Sequence, residues 1–206
     1  MTSSARRSGT KGVARADREA QILDVAGRIF GERGFAATSV ADVAREAGIS
    51  KPLIYHYFGS KEGLFERCLS EASGVLVGEI ERTAGLGEVG LARALATLDG
   101  VFAVLAGRTW IWQVANDPTA PATPAAATLL GSYRTRLETL AHDGVRELLA
   151  LGGVDDPLDV DAMAAVWSNV FAALVDWWCA HPDVVPDEMS ARCARLFGAV
   201  FRPAAP

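Results

Sequence analysis

Hydrophobic residues recur every three or four positions along most of this 206-residue chain, which is the spacing of an amphipathic α-helix. The first stripe lies in a helix predicted over residues 16–33 and consists of Ile22, Ala26, Ile29 and Phe30. Gly34 follows, at the position where a left-handed residue commonly ends a helix. No segment shows the strict alternation of apolar and polar residues that indicates a β-strand. The pattern therefore predicts an all-α fold.

Downstream of residue 60, the same spacing predicts helices over residues 61–80, 89–105, 125–151, 159–180 and 187–201, with a short apolar segment at 110–112. Three prolines within residues 116–127 predict a surface loop that leads into the longest of these helices. Glycines at positions 74, 78, 85 and 87 weaken the far end of the helix that starts at residue 61. They indicate either a hinge or close packing against a neighbour.

Residues 38–65, TSVADVAREAGISKPLIYHYFGSKEGLF, predict two short helices joined by a tight turn and followed by the start of a third. Ser39 and Asp42 have the spacing of a capping box, with Asp in place of the usual Glu. Gly48 supplies the left-handed stop of the first short helix. Ser50 is predicted to cap the second, which has a proline in its first turn. This is the arrangement of a helix-turn-helix.

The second short helix has only Ile54 and Phe58 as clear core positions, so its other side chains are expected to face outward. An exposed helix start that carries Ser, Lys, Tyr and His suits docking into the major groove of DNA. The next helix opens at Ser60–Lys61–Glu62, where free backbone N–H groups and the lysine form a second candidate phosphate site. The alternative is a solvated surface helix without a nucleic-acid partner.

Charge is divided unevenly along the chain. Residues 1–67 contain 11 Lys and Arg against 8 Asp and Glu, whereas residues 68–206 contain 9 against 17. A basic front end on an acidic body suits a DNA-binding head, although a two-part protein without DNA can show the same division. The basic first 18 residues are expected to be disordered in free solution, or to follow the minor groove or phosphates beside a DNA site.

The run GISKPLIYHYFGSKEGLF and the preceding FGERGFAATSVADVAREAG closely resemble the characteristic segment of the TetR family of bacterial transcriptional regulators. The resemblance is close over roughly residues 16–70 and extends beyond them only as a helical layout. It implies a flexible basic arm over 1–15, a three-helix domain with the helix-turn-helix over 16–62, and a larger helical effector-binding and dimerisation domain over 63–206. It also implies a homodimer that binds an inverted-repeat operator in double-stranded DNA and releases it when a small molecule binds.

The residues predicted to contact DNA lie in and beside the second short helix. Those predicted to enter the major groove are Ser50, Lys51, Pro52, Leu53, Tyr55 and His56, with the lysine, proline and leucine nearest the bases. Phosphate contacts are predicted for Thr38, Ser39, Tyr55, Tyr57 and Lys61.

The helices predicted over 159–180 and 187–201 carry apolar residues on more than one side, so they need cover on more than one side. The resemblance implies that both pair with their copies in a four-helix dimer interface. A deep core helix in a monomer is the alternative.

Aromatic residues are concentrated in the C-terminal body. The residues predicted to bind an effector are Phe102, Trp110, Tyr133, Trp167, Phe171 and Trp178. Tyr133, Asn169 and Asp176 are candidates for the few polar groups that such a pocket needs. The expected effector is a small apolar or aromatic molecule, while the same aromatic residues at helical spacing also fit an ordinary core.

Other chemistry is sparse. Cys68, Cys179 and Cys193 lack a CxxC pair and suit small buried apolar positions in a reducing cytoplasm. Neither a metal centre nor a cofactor is predicted, and no enzyme motif is present. The sequence indicates no signal peptide and no apolar run expected to span a membrane. A ligand-responsive repressor is favoured, and a helical enzyme or small-molecule carrier with a helix-turn-helix-like corner is the alternative.

Overall fold

The computed structural model describes residues 15–200, and within that range every regular element is an α-helix. The helices are α1 (Arg15–Ala37), α2 (Val40–Glu46), α3 (Lys51–Phe58), α4 (Lys61–Ala84), α5 (Gly90–Leu105), α6 (Trp110–Ala115), α7 (Pro124–Leu151), α8 (Pro157–Cys179) and α9 (Pro186–Val200). The all-α prediction is confirmed. The predicted arm, residues 1–15, lies outside the described residues except for its last residue.

Half of the capping box predicted at the start of α2 is present, namely the N-cap hydrogen bond accepted by the Ser39 side chain. The Ser39 hydroxyl accepts a hydrogen bond from the backbone N–H of Asp42 at 3.2 Å and donates one to the Asp42 carboxylate at 2.6 Å. The bond from Ser39, together with Arg45, lowers the pKa of Asp42. Gly48 has the expected left-handed φ of 65°. The cap predicted for Ser50 is wrong, because this residue occupies the N-cap position of α3 but its side chain makes no capping hydrogen bond.

Three phenylalanine rings join α1 to α4. Phe30 of α1 and Phe65 of α4 meet edge to face, with ring centroids 5.1 Å apart. Phe35 packs against both rings, at 6.1 Å from Phe30 and 5.3 Å from Phe65. Gly34, with φ 75° and ψ 164°, breaks α1 just before Phe35 and turns that ring toward the cluster. The three-helix head, α1 to α3, is thereby fixed on the N-terminal part of α4.

The remaining helices form the body around α4. Along its length, α4 contacts α1 and α3 of the head and α5, α6 and α7 of the body, while α8 packs on α7 and α9 packs on α5. One continuous cluster of buried side chains runs from Ile22 in α1 to Cys193 in α9. Because the head and the body share this core, a displacement of α4 or α6 also displaces the head.

Two glycines in α4 have open space beside them. Nothing lies within 4 Å of the point where a Cβ would stand on Gly74 or Gly78. Close packing therefore does not explain these glycines, and a hinge remains a prediction.

The loop predicted over residues 116–127 ends earlier than expected. Pro124 begins α7, and the hydroxyl of Thr123 accepts a hydrogen bond from the backbone N–H of Ala126 at 3.1 Å. A threonine cap followed by proline is a strong start for a helix, and it overrides the loop tendency of the remaining prolines.

Helix α8 is long and apolar enough to cross a bilayer, judged by length and composition alone. Its most apolar 18-residue window has a mean hydropathy of 1.4, and 22% of that window is buried. The expectation that no run in the chain meets this criterion is therefore wrong. Apolar core helices meet it as well, so the finding goes no further than the composition of α8.

Candidate DNA interface and its link to the body

Helix α3 turns its N-terminal half away from the rest of the molecule. Ile54 and Phe58 are buried and anchor the helix, as predicted. The exposed residues are Ser50, Lys51, Pro52, Tyr55 and His56, while Leu53 and Tyr57 are half-buried. The ammonium group of Lys51 lies 5.9 Å from the centroid of the Tyr55 ring. The structure thus gathers the groove-facing candidates on one exposed surface.

Two further DNA candidates flank this surface. The ammonium group of Lys61, at the N-terminus of α4, lies 4.1 Å from the centroid of the Phe35 ring, which is a cation–π distance. The guanidinium carbon of Arg15 lies 5.6 Å from the centroid of the Tyr57 ring. Both positions bring positive charge to the ends of the α3 surface, where phosphates of a bound duplex would pass.

Thr38 and Ser39 do not offer free hydroxyl protons. Thr38 is 3% exposed, and its hydroxyl donates to the carbonyl of Gly34 at 2.8 Å. The Ser39 hydroxyl is exposed but donates to Asp42. Burial counts against the phosphate contact predicted for the Thr38 side chain, which instead holds the junction between α1 and α2.

Comparison with known proteins identifies this head. Residues 22–68 match the family model described as bacterial regulatory proteins, tetR family. The head of this chain is therefore similar to the DNA-binding segment of TetR-family regulators. Over 52 residues it is 44% identical to the transcriptional repressor KstR2 of Rhodococcus jostii, a match that covers 25% of this chain and 26% of that protein. The chain spans only about a quarter to a third of the length of the curated relatives it matches.

Solved structures share the fold over more than nine tenths of this chain. KstR2 of Mycobacterium tuberculosis superposes with a TM-score of 0.73 at 21% identity and covers 92% of this chain and 95% of its own. AibR, solved in complex with isovaleryl coenzyme A and operator DNA, gives a TM-score of 0.72 at 16% identity, with 91% and 100% covered. At these identities the likeness establishes the fold alone.

Helix α6, together with α4, joins the head to the body of this protein. The Trp110 ring lies so close to α1 that a Cβ on Gly27 would stand 2.5 Å from its Cε3 atom. A Cβ on Gly31 would stand 2.7 Å from the amide oxygen of Gln113. Both distances are far shorter than a carbon tolerates. The two glycines, four residues apart on one face of α1, are what allow α6 to approach.

The loop after α6 adds a polar clamp. The Asp117 carboxylate accepts hydrogen bonds from the backbone N–H of Phe35 at 2.6 Å and from the hydroxyl of Thr119 at 2.7 Å. The Thr119 hydroxyl oxygen in turn accepts from the backbone N–H of Ala36 at 3.1 Å. These N–H groups follow the break at Gly34 and so begin a new helical turn without partners of their own. Asp117 therefore caps a turn of the head from the body.

We expect Asp117→Ala to loosen this junction. The variant should lose about 1.5–3 kcal/mol of unfolding free energy, the scale of a hydrogen bond to a charged group. Amide hydrogen exchange at Phe35 and Ala36 should accelerate. Asp156→Ala is the matched control, because Asp156 caps α8 within the body through the N–H of Leu158 at 2.8 Å. Faster exchange at Phe35 in the Asp156 variant as well would contradict a local clamp.

The six residues predicted to bind effector lie in the packed interior of the body. Five are buried and Trp167 is half-buried. Phe102 packs on Trp178 at 5.2 Å, and Trp167 packs on Phe171 at 6.1 Å between ring centroids. These residues therefore belong to the packed core of the body. That any of them contacts an effector remains a prediction. Asn169 is exposed and donates to the carbonyl of Ala165.

A pocket of about 330 Å³ lies beside this aromatic interior, between α6 and α8. It is lined by Trp112, Gln113, Asn116, Asp176, Cys179 and Ala180. The indole N–H of Trp112 donates to the Asp176 carboxylate at 2.6 Å and bridges the two helices. Burial raises the pKa of Tyr133, and a side-chain hydrogen bond with Asn116 opposes that rise. Tyr133 and Asp176 were both singled out from the sequence, but only Asp176 lines the pocket.

Sequence reasoning missed the head-to-body contacts. Gly27 and Gly31 carried a usable signal, since two glycines four apart inside a helix indicate a close neighbour. Asp117 and Thr119 carried none that points to the head, because their partners lie more than 80 residues away.

Proposed function

We propose that this chain is a ligand-responsive, DNA-binding transcriptional regulator, a repressor that binds an inverted-repeat operator as a homodimer in the cytoplasm and is released by a small apolar or aromatic effector. The observation that carries the proposal is the exposed N-terminal half of α3, held outward by two buried anchors and flanked by Lys61. KstR2, which matches this chain in sequence, is described as a transcriptional repressor. AibR, which shares the fold, was solved in complex with operator DNA.

Electrostatics supports DNA as the partner of the head. The excess of basic residues is confined to the first third of the chain, and the body carries an excess of acidic residues. Lysine and arginine near phosphates release counterions and supply most of the sequence-independent affinity. An acidic body is repelled by the duplex, which favours docking through the head.

An exposed apolar face supports the homodimer. Large apolar side chains on the outer faces of α8 and α9 stand in solvent, namely Leu158, Met163, Val166, Trp177, Leu196 and Val200. Exposed large apolar side chains concentrated on two helices indicate an interaction site. A second copy is the occupant that also explains an inverted-repeat operator, because a two-fold axis would present two α3 helices to two half-sites.

Release by an effector needs only a difference in affinity between two arrangements of the heads. A ligand that binds better when the body is splayed shifts the population away from the spacing that fits the operator. The size of that shift is limited by the differential affinity of the ligand for the two arrangements.

Selection of bound duplexes from a random DNA pool tests the proposal directly. The expected product is an inverted repeat whose half-sites are separated by a whole number of helical turns, about 10–10.5 base pairs each. Absence of any sequence preference at low salt would overturn DNA regulation as the function. It would then favour a helical enzyme or carrier.

Lys61→Ala should weaken binding to every duplex, whatever its sequence, because a lysine at a helix N-terminus holds phosphate and not a base. The dependence of log affinity on log salt should become shallower by about one unit. Lys51→Ala should instead alter the preferred operator, with a loss of about 1–3 kcal/mol at the position it reads. Arg134→Ala, at an exposed site on the body, is the charge-matched control and should leave the salt slope unchanged.

A further inference from the structure

The pocket between α6 and α8 has a distinctive chemistry. Asp176 is the one charged residue in its lining, which also contains two amide side chains, those of Gln113 on α6 and of Asn116 just after it. Asp176 and Asn116 are exposed, so the pocket opens to solvent. A carboxylate accepts hydrogen bonds through two oxygens, and the indole of Trp112 uses Oδ1. The second oxygen can accept a donor from a ligand. The pocket thus offers acceptors, a negative charge and an aromatic wall.

The remaining wall is neutral. Burial, followed by the nearby charge of Asp176, raises the pKa of the Cys179 thiol to about 11. At neutral pH this cysteine is therefore uncharged and presents a small apolar surface. No lysine or arginine is among the lining residues within the described part of the chain.

We propose that this pocket is the effector site and that its ligand is a small organic cation with an aromatic or apolar body. The inference rests on the proposed function and narrows it. A protonated amine would donate to Asp176 and lie beside the Trp112 ring, and both contacts favour positive charge. An anionic ligand would meet the carboxylate without a compensating cation, which is a repulsive contact. The isovaleryl coenzyme A bound by AibR is a ligand of that anionic kind, so this pocket selects a different class.

The position of the pocket explains how such a ligand acts on the head. Its α6 wall is attached to α1 through Trp110 and, through the following loop, to Phe35 by Asp117. Its other wall is α8, the helix that carries the exposed apolar face. The indole–carboxylate hydrogen bond joins the two walls. A cation bound to the second oxygen of Asp176 draws the carboxylate away from Trp112, which weakens this hydrogen bond and lets α6, with the head, move relative to α8.

Three probes of similar shape test the ligand class. These are 2-phenylethylamine, which is cationic at neutral pH, 2-phenylethanol, which is neutral, and 3-phenylpropionate, which is anionic. Binding to the full chain is measured by tryptophan fluorescence and by calorimetry. The amine should bind at least about tenfold more tightly than the acid, which is the scale of one charge-assisted hydrogen bond. Equal affinity, or no binding of the amine at millimolar concentration, overturns the proposal.

Asp176→Asn locates the site. The amide oxygen still accepts from Trp112, so the fold is preserved, while the charge that selects the amine is gone. The variant should lose the preference of about tenfold for the amine. Asp99→Asn removes the same charge elsewhere in the body, at an exposed residue that bonds Ser190, and should keep the preference. An unchanged preference in Asp176→Asn would place the amine elsewhere and overturn the site.

Trp112→Phe tests whether Trp112 affects amine binding through its N–H, because a purely structural role of Trp112 would predict weaker binding of the amine. It retains an aromatic wall but removes the N–H that competes for Asp176, so the amine should bind at least as tightly as to the natural chain. If the amine bound to Trp112→Phe more weakly than to Asp176→Asn, the idea that the indole N–H and the amine share the Asp176 carboxylate would be contradicted.

Operator binding separates failure of this inference from failure of the proposed function. The amine should lower the affinity of the natural chain for its selected operator and leave that of Asp176→Asn unchanged. A chain that prefers no duplex but still selects the amine through Asp176 would overturn the regulatory function and not the cation site. A chain that binds its operator equally well with and without bound amine would overturn the effector role.

Discussion

Truncation of Phe65 to alanine should unfold the head or bring it close to unfolding, with a loss of about 3–5 kcal/mol of unfolding free energy. Phe65 is 0% exposed and packs edge to face against both Phe30 and Phe35. Its removal leaves a cavity at the point where α1, α4 and the turn after Gly34 meet. A domain is stabilised by only about 5–15 kcal/mol, so the fraction of folded protein should fall measurably.

Denaturant titration followed by circular dichroism measures this loss. Val185→Ala is the control, because Val185 is 53% exposed and its side chain lies outside the core. The control should change stability by no more than about 0.5 kcal/mol. A cost for Phe65→Ala below about 1 kcal/mol would mean that the head core can repack, contrary to a close-packed cluster.

Val166→Asp should convert the proposed dimer into monomers and lower operator affinity by about 10²- to 10⁴-fold, which is the gain that linking two binding modules provides. Val166 is 56% exposed on the outer face of α8, so a monomer tolerates the aspartate. At a dimer interface, by contrast, each subunit would bury an unpaired charge beside that of its partner.

Sedimentation measures the oligomeric state, and operator titration measures the affinity. Leu86→Asp is closely matched, because Leu86 is 57% exposed but belongs to the turn after α4 and not to α8 or α9. It should remain dimeric and keep its affinity for the operator. A monomeric natural chain, or a dimeric Val166→Asp, would contradict the proposed interface.

The local structure of the head was predictable because its signals are local. The Ser39–Asp42 capping box and the turn glycine Gly48 act over a few residues, so their spacing alone predicts where α2 begins and ends. The burial of Ile54 and Phe58 follows from helical periodicity in the same way. The predicted cap by Ser50 was wrong because a residue at the N-cap position need not turn its side chain toward the helix.

Predictions that depended on distant partners were less successful. The burial of Thr38 was missed although its hydroxyl bonds the carbonyl of Gly34 only four residues earlier, because burial depends on the elements that pack around a residue. Asp117 lies in a proline-rich segment that suggests only a loop, yet it holds the head. Contacts of this kind form when elements far apart in sequence are brought together, and no short-range pattern records them.

The amino-acid sequence by itself determined the helical class, the helix-turn-helix and the resemblance of the head to TetR-family regulators, because caps, turn glycines and apolar spacing operate within a few residues. Only the tertiary structure decided that α6 joins the head to the body and that Asp176 and Trp112 face each other across a pocket. These features depend on the packing of α1 against α6 and on the position of α8 beside α6. Those arrangements are set by the whole core and not by any one segment.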